Sequence, residues 1–311
     1  MRKIYCFLGS FFIGGDFLIA LPFLHWAGGK RQLLDKIRTY YPFYRYPNIN
    51  KYVEPFVGGG AVLFDILNTF SLKEVYVSDI NADLILTYKT IRDTPHDLIE
   101  LLSTYQQEYR LSPFDKKEDY YTDKKIEYNS MKSLTVEKAA LFIFLNKTCF
   151  NGLYRVNKDG EFNVARGTYK SPIIFDKGNI LAVSSKLQSV GFVAADYHVC
   201  RSFVDENTFV YLDPPYRALR NVTNTVRYDA SQFDDKEQIK LADFFMDLDF
   251  TGAKLLMSNS NPKNTNKYDD FFEILYENFY INYVDAKRSI NSNPYGRGTV
   301  SELLISNYNP K

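Results

Sequence analysis

The hydrophobic positions change period along the chain, and each change marks an element. Tyr52-Val53-Glu54-Pro55-Phe56-Val57 is an apolar-rich run that predicts a short strand. Gly58, Gly59 and Gly60 follow, and over 61–70 the apolar residues fall at helical spacing. Residues 74–77 return to strand character and close on Ser78-Asp79. Strand, glycine turn, helix, strand and acid make a βαβ unit. Residues 83–92 predict another helix.

From 93 to about 180 the character changes. Helical spacing is legible at 98–109 and 137–145, with a stretch dense in Lys, Asp, Glu and Tyr between them. Beyond Asn146 the chain is turn-rich, with Asn151-Gly152, Asp159-Gly160 and Arg166-Gly167. Asp159-Gly160 lies between Tyr154-Arg155-Val156 and Glu161-Phe162-Asn163-Val164, which predicts a β-hairpin. The alternation then resumes. A buried-type strand at 209–212 runs into Asp213-Pro214-Pro215-Tyr216; a helix at 236–247, a strand at 253–257, a helix at 271–278 and strands at 281–284 and 302–306 follow.

Strands alternating with helices predict an α/β fold with a mostly parallel, Rossmann-like sheet and helices on both faces. The expected division is an N-terminal extension (1–20), an α/β domain (21–92 and 181–311) and an inserted, mostly helical domain with the hairpin (93–180). A chain of 311 residues suits two domains at about 100–200 residues each.

Composition narrows the class. With 45% hydrophobic and 24% charged residues the chain is globular, neither disordered nor fibrous. Cys6, Cys149 and Cys200 are far apart and odd in number, so neither a disulfide framework nor a zinc site is expected. No metal is expected. Met1-Arg2-Lys3 and the apolar run to Ile13 imitate a secretion signal, but Gly14-Gly15-Asp16 interrupts the run and no clean cleavage site follows. The run is also too short to span a bilayer. A cytoplasmic location with no membrane partner is expected. A net charge of +1 argues, at first sight, against a nucleic-acid partner.

Three clusters carry candidate chemistry. The glycine turn lets backbone N–H groups approach a nucleotide, and an acid about 20 residues on suits ribose hydroxyls; Asp79 has that spacing from Gly58. The third glycine of a dinucleotide fingerprint is missing, since position 63 is Leu. Asp213-Pro214-Pro215-Tyr216 stands at a strand's carboxyl end, where open α/β sheets place ligands. Two prolines stop the ladder and fix the backbone. Asp213 and the Pro214 carbonyl are then rigid acceptors beside an aromatic ring, a set suited to a planar group with an exocyclic amine. Third, His25-Trp26-Ala27-Gly28-Gly29-Lys30-Arg31 holds the only tryptophan beside two cations. Taken alone it reads equally as a core Trp with a solvated helix start or as a ligand contact.

In order, Trp26-Ala27-Gly28-Gly29-Lys30, Glu54 to Ala61, Ser78-Asp79-Ile80-Asn81 and Asp213 to Tyr216 resemble the DNA adenine-N6 methyltransferases of the Dam type. Phe150 to Asn157 and Gly160 to Val164 resemble that family's DNA-reading hairpin. Arg297-Gly298 and Ser301-Glu302-Leu303-Leu304 resemble its closing motif. The resemblance implies S-adenosylmethionine as cofactor and S-adenosylhomocysteine as product. It implies cofactor contacts at Trp26, Lys30, Pro55, Phe56, Gly58, Gly59, Gly60, Ala61, Asp79, Ile80, Asp196 and Asp213. Asp213, Pro214, Pro215 and Tyr216 would hold a flipped adenine of double-stranded DNA. Phe150, Asn151, Leu153, Arg155, Asn157 and Arg166 would meet the DNA, with Arg155 reading a guanine, commonly within GATC. Val164-Ala165-Arg166 departs from the family, which often has Pro at the middle position. A monomer is expected, with a cognate restriction endonuclease acting separately if there is one.

Charge then reads differently. Residues 229–249 hold seven acids against two lysines, while 147–170 hold five cations against two acids. Residues 217–227 and 286–300 each hold three cations and no acid. These basic stretches flank the expected target site, where they can meet phosphates. Other readings stay open. A nicotinamide oxidoreductase would use the glycine turn and Asp79, but it leaves the Asp-Pro-Pro-Tyr run and hairpin unexplained. A methyltransferase of RNA adenine or of a protein amide, and a non-catalytic DNA-binding module, are the remaining alternatives.

Overall fold

The computed structural model describes residues 19–26, 28–217, 233–287 and 299–310. Most of the N-terminal extension, Ala27, the closing-motif pair Arg297-Gly298 and most of the two basic stretches after Tyr216 lie outside them.

The sheet runs β3-β2-β1-β4-β5-β7-β6. Strands β1 (Lys51–Glu54), β2 (Glu74–Asp79), β3 (Val190–Ala194), β4 (Thr208–Leu212) and β5 (Lys254–Ser260) pair in parallel. Strand β7 (Thr299–Ser306) is antiparallel to β5 and to β6 (Tyr280–Lys287). The chain leaves β1 toward β2 and β3 on one side, whereas β4 lies on the other. The carboxyl ends of β1 and β4 therefore border the crevice where such sheets bind ligands.

All five residues of β4 are buried, and after Thr208 its run is continuously apolar rather than alternating. Phe209 and Tyr211 face one layer with Tyr52, Val75, Val77 and Leu256. That layer is covered by α1 (Leu34–Ile37), α2 (Ala61–Thr69), α3 (Ala82–Asp93) and α7 (Lys177–Leu187). Val210 and Leu212 face the other layer with Val53, Leu255, Met257, Leu303 and Ile305, covered by α8 (Asp235–Asp249) and α9 (Phe271–Leu275). The first cluster continues without a break into α4 (Pro95–Leu111), α5 (Lys117–Ser130) and α6 (Val136–Thr148), through Leu102, Tyr109, Tyr121 and Phe144. The helical segment between β2 and β3 thus packs through the same core as the sheet.

Three elements were hidden in the pattern. Helix α5 buries only Lys117, Tyr121 and Tyr128, so its apolar stripe is made of tyrosines and a lysine stem rather than aliphatics. Helix α7 is set by its cap, the Asp176 carboxylate accepting from the Asn179 N–H at 3.1 Å. Strand β3 is a five-residue edge strand containing Gly191. The predicted hairpin is present in its shortest form, a Val156–Phe162 bridge flanked by Asn157 N–H to Glu161 O (2.8 Å) and Asn163 N–H to Arg155 O (3.0 Å).

Tyr88 ties the core to the glycine turn. Its ring meets Phe23 edge-on at 5.0 Å and stacks with Phe192 at 5.5 Å, while its hydroxyl donates to the Gly58 carbonyl at 3.0 Å. Tyr88→Phe should keep the packing and strand a buried carbonyl. The expected loss is about 1–3 kcal/mol of unfolding free energy, read from denaturant midpoints.

Candidate active site

The glycine turn is built for close approach. Gly58 and Gly60 have φ of +46° and +70°, which side chains with a Cβ rarely adopt. A Cβ on Gly58 would lie 2.8 Å from the indole nitrogen of Trp26, and one on Gly60 would lie 2.4 Å from the Tyr88 hydroxyl. Gly60 starts α2 with no side-chain cap of its own, and in the first turn of the helix the Leu63 N–H bonds to the Glu54 carboxyl. Pro55 is buried beneath, and Phe56 packs on Tyr197 at 5.3 Å between ring centroids.

Asp79 ends β2 beside this turn. Its carboxylate accepts from the Gly58 N–H at 3.1 Å and the Asn81 N–H at 2.9 Å. Burial pushes its acidity weaker than usual, and these backbone N–H groups oppose that. Ile80, next in the chain, is 77% exposed. An exposed apolar side chain thus stands next to a buried acid at the carboxyl end of β2. Asp196 lies beyond β3, where Ala195 N–H reaches the Asp79 carbonyl at 3.1 Å. The Asp196 carboxylate is engaged locally, accepting from the His198 N–H at 3.0 Å and contacting the His198 ring.

The acceptor set stands at the end of β4. Asp213 Oδ1 is paired with Lys30 Nζ at 2.7 Å and accepts from Ser258 Oγ at 2.8 Å. Ser258 is itself 3.0 Å from the Tyr211 hydroxyl. Lys30 is buried, also donates to the Gly28 carbonyl at 2.8 Å, and lies 4.5 Å from the Tyr216 ring centroid. Burial, then Asp213 and Glu302, pushes the Tyr216 hydroxyl well above its ordinary range, and it donates to Glu302. Pro214 is buried, and the Pro215 carbonyl accepts from Gln238 at 3.0 Å, which fixes the backbone of the motif from α8. Lys30 thus sits on the acceptor carboxylate, which the sequence did not indicate.

Residues 26–290 match the D12 class N6 adenine-specific DNA methyltransferase family. Over 291 residues the chain is 46% identical to the type II methyltransferase M.MjaIII of Methanocaldococcus jannaschii, covering 92% of this chain and 99% of that one. It is 34% identical over 292 residues to the type II methyltransferase M1.LlaDCHI of Lactococcus lactis subsp. cremoris, covering 92% and 95%. It is 32% identical over 285 residues to the DNA adenine methylase of Haemophilus influenzae, covering 91% and 92%. The chain belongs to the D12 class of N6 adenine-specific DNA methyltransferases. It is an adenine-specific DNA methyltransferase, and DNA is its substrate. Among the described residues no helix is long and apolar enough to cross a membrane, and no group of His, Cys, Asp and Glu is placed to hold a metal.

The hairpin stands next to the strap of chain around Trp26, whose ring stacks on Tyr154. Phe150 and Asn151 are exposed at its start, and Asn151 has a φ of +54°. Leu153 is half-buried. Arg155 is exposed and folded back, its guanidinium donating to the Asn163 side chain at 2.8 Å and the Asn163 carbonyl at 3.1 Å. Asn157 is engaged in the turn, accepting from the N–H groups of Asp159 and Glu161 at 3.0 and 2.9 Å. Arg166 is tied to Glu118 on α5 at 2.8 Å. Lys147 is pushed down to about 8 by burial and by Arg31 nearby.

One expectation needs correcting. Arg217 opens a stretch expected to meet phosphates, yet it is clamped between Asp235 (2.6 Å) and Asp269 (2.9 Å) and lies 4.0 Å over the Phe271 ring. It anchors the Asp213–Tyr216 motif to α8 and α9 instead. The two carboxylates that hold it are far away in sequence, so its composition signal misled.

Sequence reasoning also passed over Glu54. This carboxyl is buried at the end of β1 and accepts from the Tyr52 hydroxyl at 2.7 Å. Burial, and then the charges of Asp213 and Asp79, raise it well above its ordinary value near 4.5. A raised carboxyl stabilises the fold fully below its unfolded value, and that contribution is lost as pH rises toward the folded one. Glu54→Gln mimics the neutral form. Its ligand-free melting temperature should match wild type at pH 4 and exceed it by a growing margin as pH rises to 8. A constant difference across that range would contradict the assignment.

Proposed function

We propose that this methyltransferase moves a methyl group from S-adenosylmethionine to N6 of an adenine flipped out of duplex DNA, within GATC. The observation that carries the reading is the acceptor set: Asp213 held by Lys30 and Ser258, with Tyr216 beside it, at the mouth of the β1–β4 crevice. Trp26, Lys30, Pro55 to Ala61, Asp79, Ile80, Asp196 and Asp213 would hold the cofactor. When bound, it supplies an activated methyl group on a sulfonium.

Asp213 and the Pro214 carbonyl accept the two N–H bonds of the adenine amine, and Tyr216 stacks on the base. That orientation localises the amine lone pair toward the cofactor side. As the new N–C bond forms, one N–H bond breaks and Asp213 is placed to take the proton. Positioning the two reactants supplies much of the rate. A base inside a duplex cannot reach this pocket, so it must leave the stack.

Residues 93–180 act as the target-recognition domain in this reading. Arg155 leaves Asn163 to read a guanine through O6 and N7, a contact worth about 1–3 kcal/mol of discrimination. Leu153 meets a thymine methyl, while Phe150 and Asn151 fill the gap left by the flipped base. Asn157 and Arg166, committed to the turn and to Glu118, act as supports more than as free DNA contacts. The enzyme would act as a cytoplasmic monomer, with any cognate endonuclease separate.

The test is N6-methyladenine sequencing of DNA from a methylation-free host expressing the chain. Methylated GATC is expected with wild type and none with Asp213→Ala, which should still fold and bind DNA. Methylation at other sites only would overturn the GATC assignment, and full activity in Asp213→Ala would overturn the catalytic one.

A further inference from the structure

One buried amide joins the cofactor strap to the recognition hairpin. Asn146, near the end of α6, is 3% exposed. Its Oδ1 accepts from the His25 N–H at 2.8 Å, while its Nδ2 donates to the His25 carbonyl at 2.8 Å and the Gly152 carbonyl at 3.1 Å. The side chain therefore pairs with both backbone groups of His25, as a strand would, and holds the hairpin's first turn with its spare proton. Gly152 is pressed against His25, where an added Cβ would come within 2.3 Å of the His25 Cβ. His25 lies 121 residues before Asn146 in the chain, yet the strap and the hairpin's first turn behave as one piece at this point.

A second contact runs beside it. Trp26, the residue after His25, stacks on Tyr154 with centroids 6.1 Å apart and planes 19° from parallel. The same indole lies against Gly58 and Gly59 of the cofactor turn. Tyr154 also hydrogen-bonds Tyr128 and Asn81, and the Asn81 N–H holds Asp79. Tyr154 is thus in contact with both sides of the proposed cofactor pocket. It is also the residue before Arg155, whose guanidinium is bonded to Asn163 and must swing away to read a base.

We infer that Asn146 and Tyr154 are positioning residues that couple cofactor binding to recognition of the correct DNA site. This rests on the reading of Trp26 as a cofactor contact and Arg155 as a base reader. Neither Asn146 nor Tyr154 need touch cofactor or DNA. When Arg155 leaves Asn163, the strand through Tyr154 settles against Trp26, and Trp26 settles against the glycine turn. Coupling of this kind is reciprocal, so a cognate duplex tightens the cofactor and the cofactor tightens the cognate duplex by the same factor.

The test is calorimetry on the full chain. Binding of S-adenosylhomocysteine, which has no methyl group to transfer, is measured in the presence of a duplex carrying the site mapped by sequencing, and again with a duplex lacking it. For wild type the cognate duplex should lower the Kd at least about 5-fold relative to the other duplex. Tyr154→Leu and Asn146→Ala should each bring that ratio below about 2, and Tyr154→Phe, which keeps the stack on Trp26 and loses the bond to Asn81, should give a ratio between those of wild type and Tyr154→Leu. Thermal unfolding identifies any variant that fails to fold, and the Tyr154→Leu and Tyr154→Phe pair decides if Asn146→Ala does. Two outcomes overturn the inference: a wild-type ratio of 1 with both ligands bound, or an unchanged ratio in folded Tyr154→Leu. The first leaves the proposed function standing. Wild type that binds neither ligand overturns that function and this inference together.

Discussion

The site is organised around one buried ion pair. Lys30 comes from the strap that precedes the sheet, and Asp213 from the carboxyl end of β4, yet they meet at 2.7 Å with the lysine 4% exposed. A lysine buried to that degree needs a partner, since an unpaired charge in the interior costs several kcal/mol. The Gly28 carbonyl and the Tyr216 ring supply the rest of its surroundings. The pair therefore fixes where the strap lies, and with it Trp26 and the wall of the glycine turn. It also places a cation beside the oxygen expected to receive the target amine.

Around this pair the fold gathers three carboxyl groups. Glu54, Asp79 and Asp213 end three adjacent strands, β1, β2 and β4, and desolvation raises Glu54 and Asp79. That arrangement costs stability in the ligand-free chain, and such costs gather at functional sites. Lys30, the Tyr52 hydroxyl and the backbone N–H groups at Gly58 and Asn81 limit it.

Much of this was legible in the sequence, because each legible part depends on local chemistry. Glycines at positive φ, an acid closing a strand and two prolines after a buried strand all announce themselves within a few residues. The alternation of β1, α2 and β2 was readable for the same reason. What stayed hidden depends on partners distant in sequence. Arg217 looked like a free cation until Asp269, 52 residues on, closed over it. Asn146 looked like the end of a helix until His25 was set against it. Helix α5 hid its stripe in tyrosines, and Lys30 gave no sign that its partner would be Asp213 rather than a ligand carboxylate.

The most direct test is a double-mutant cycle on the transfer of labelled methyl from S-adenosylmethionine to duplex adenine, measured in single turnover. The variants are Lys30→Gln, Asp213→Asn and both together. If Lys30 acts through Asp213, each single change slows transfer and the double variant is no slower than Asp213→Asn alone. If the two losses multiply with cofactor and duplex both saturating, Lys30 acts on transfer independently of Asp213 and the organising role given to the ion pair is wrong.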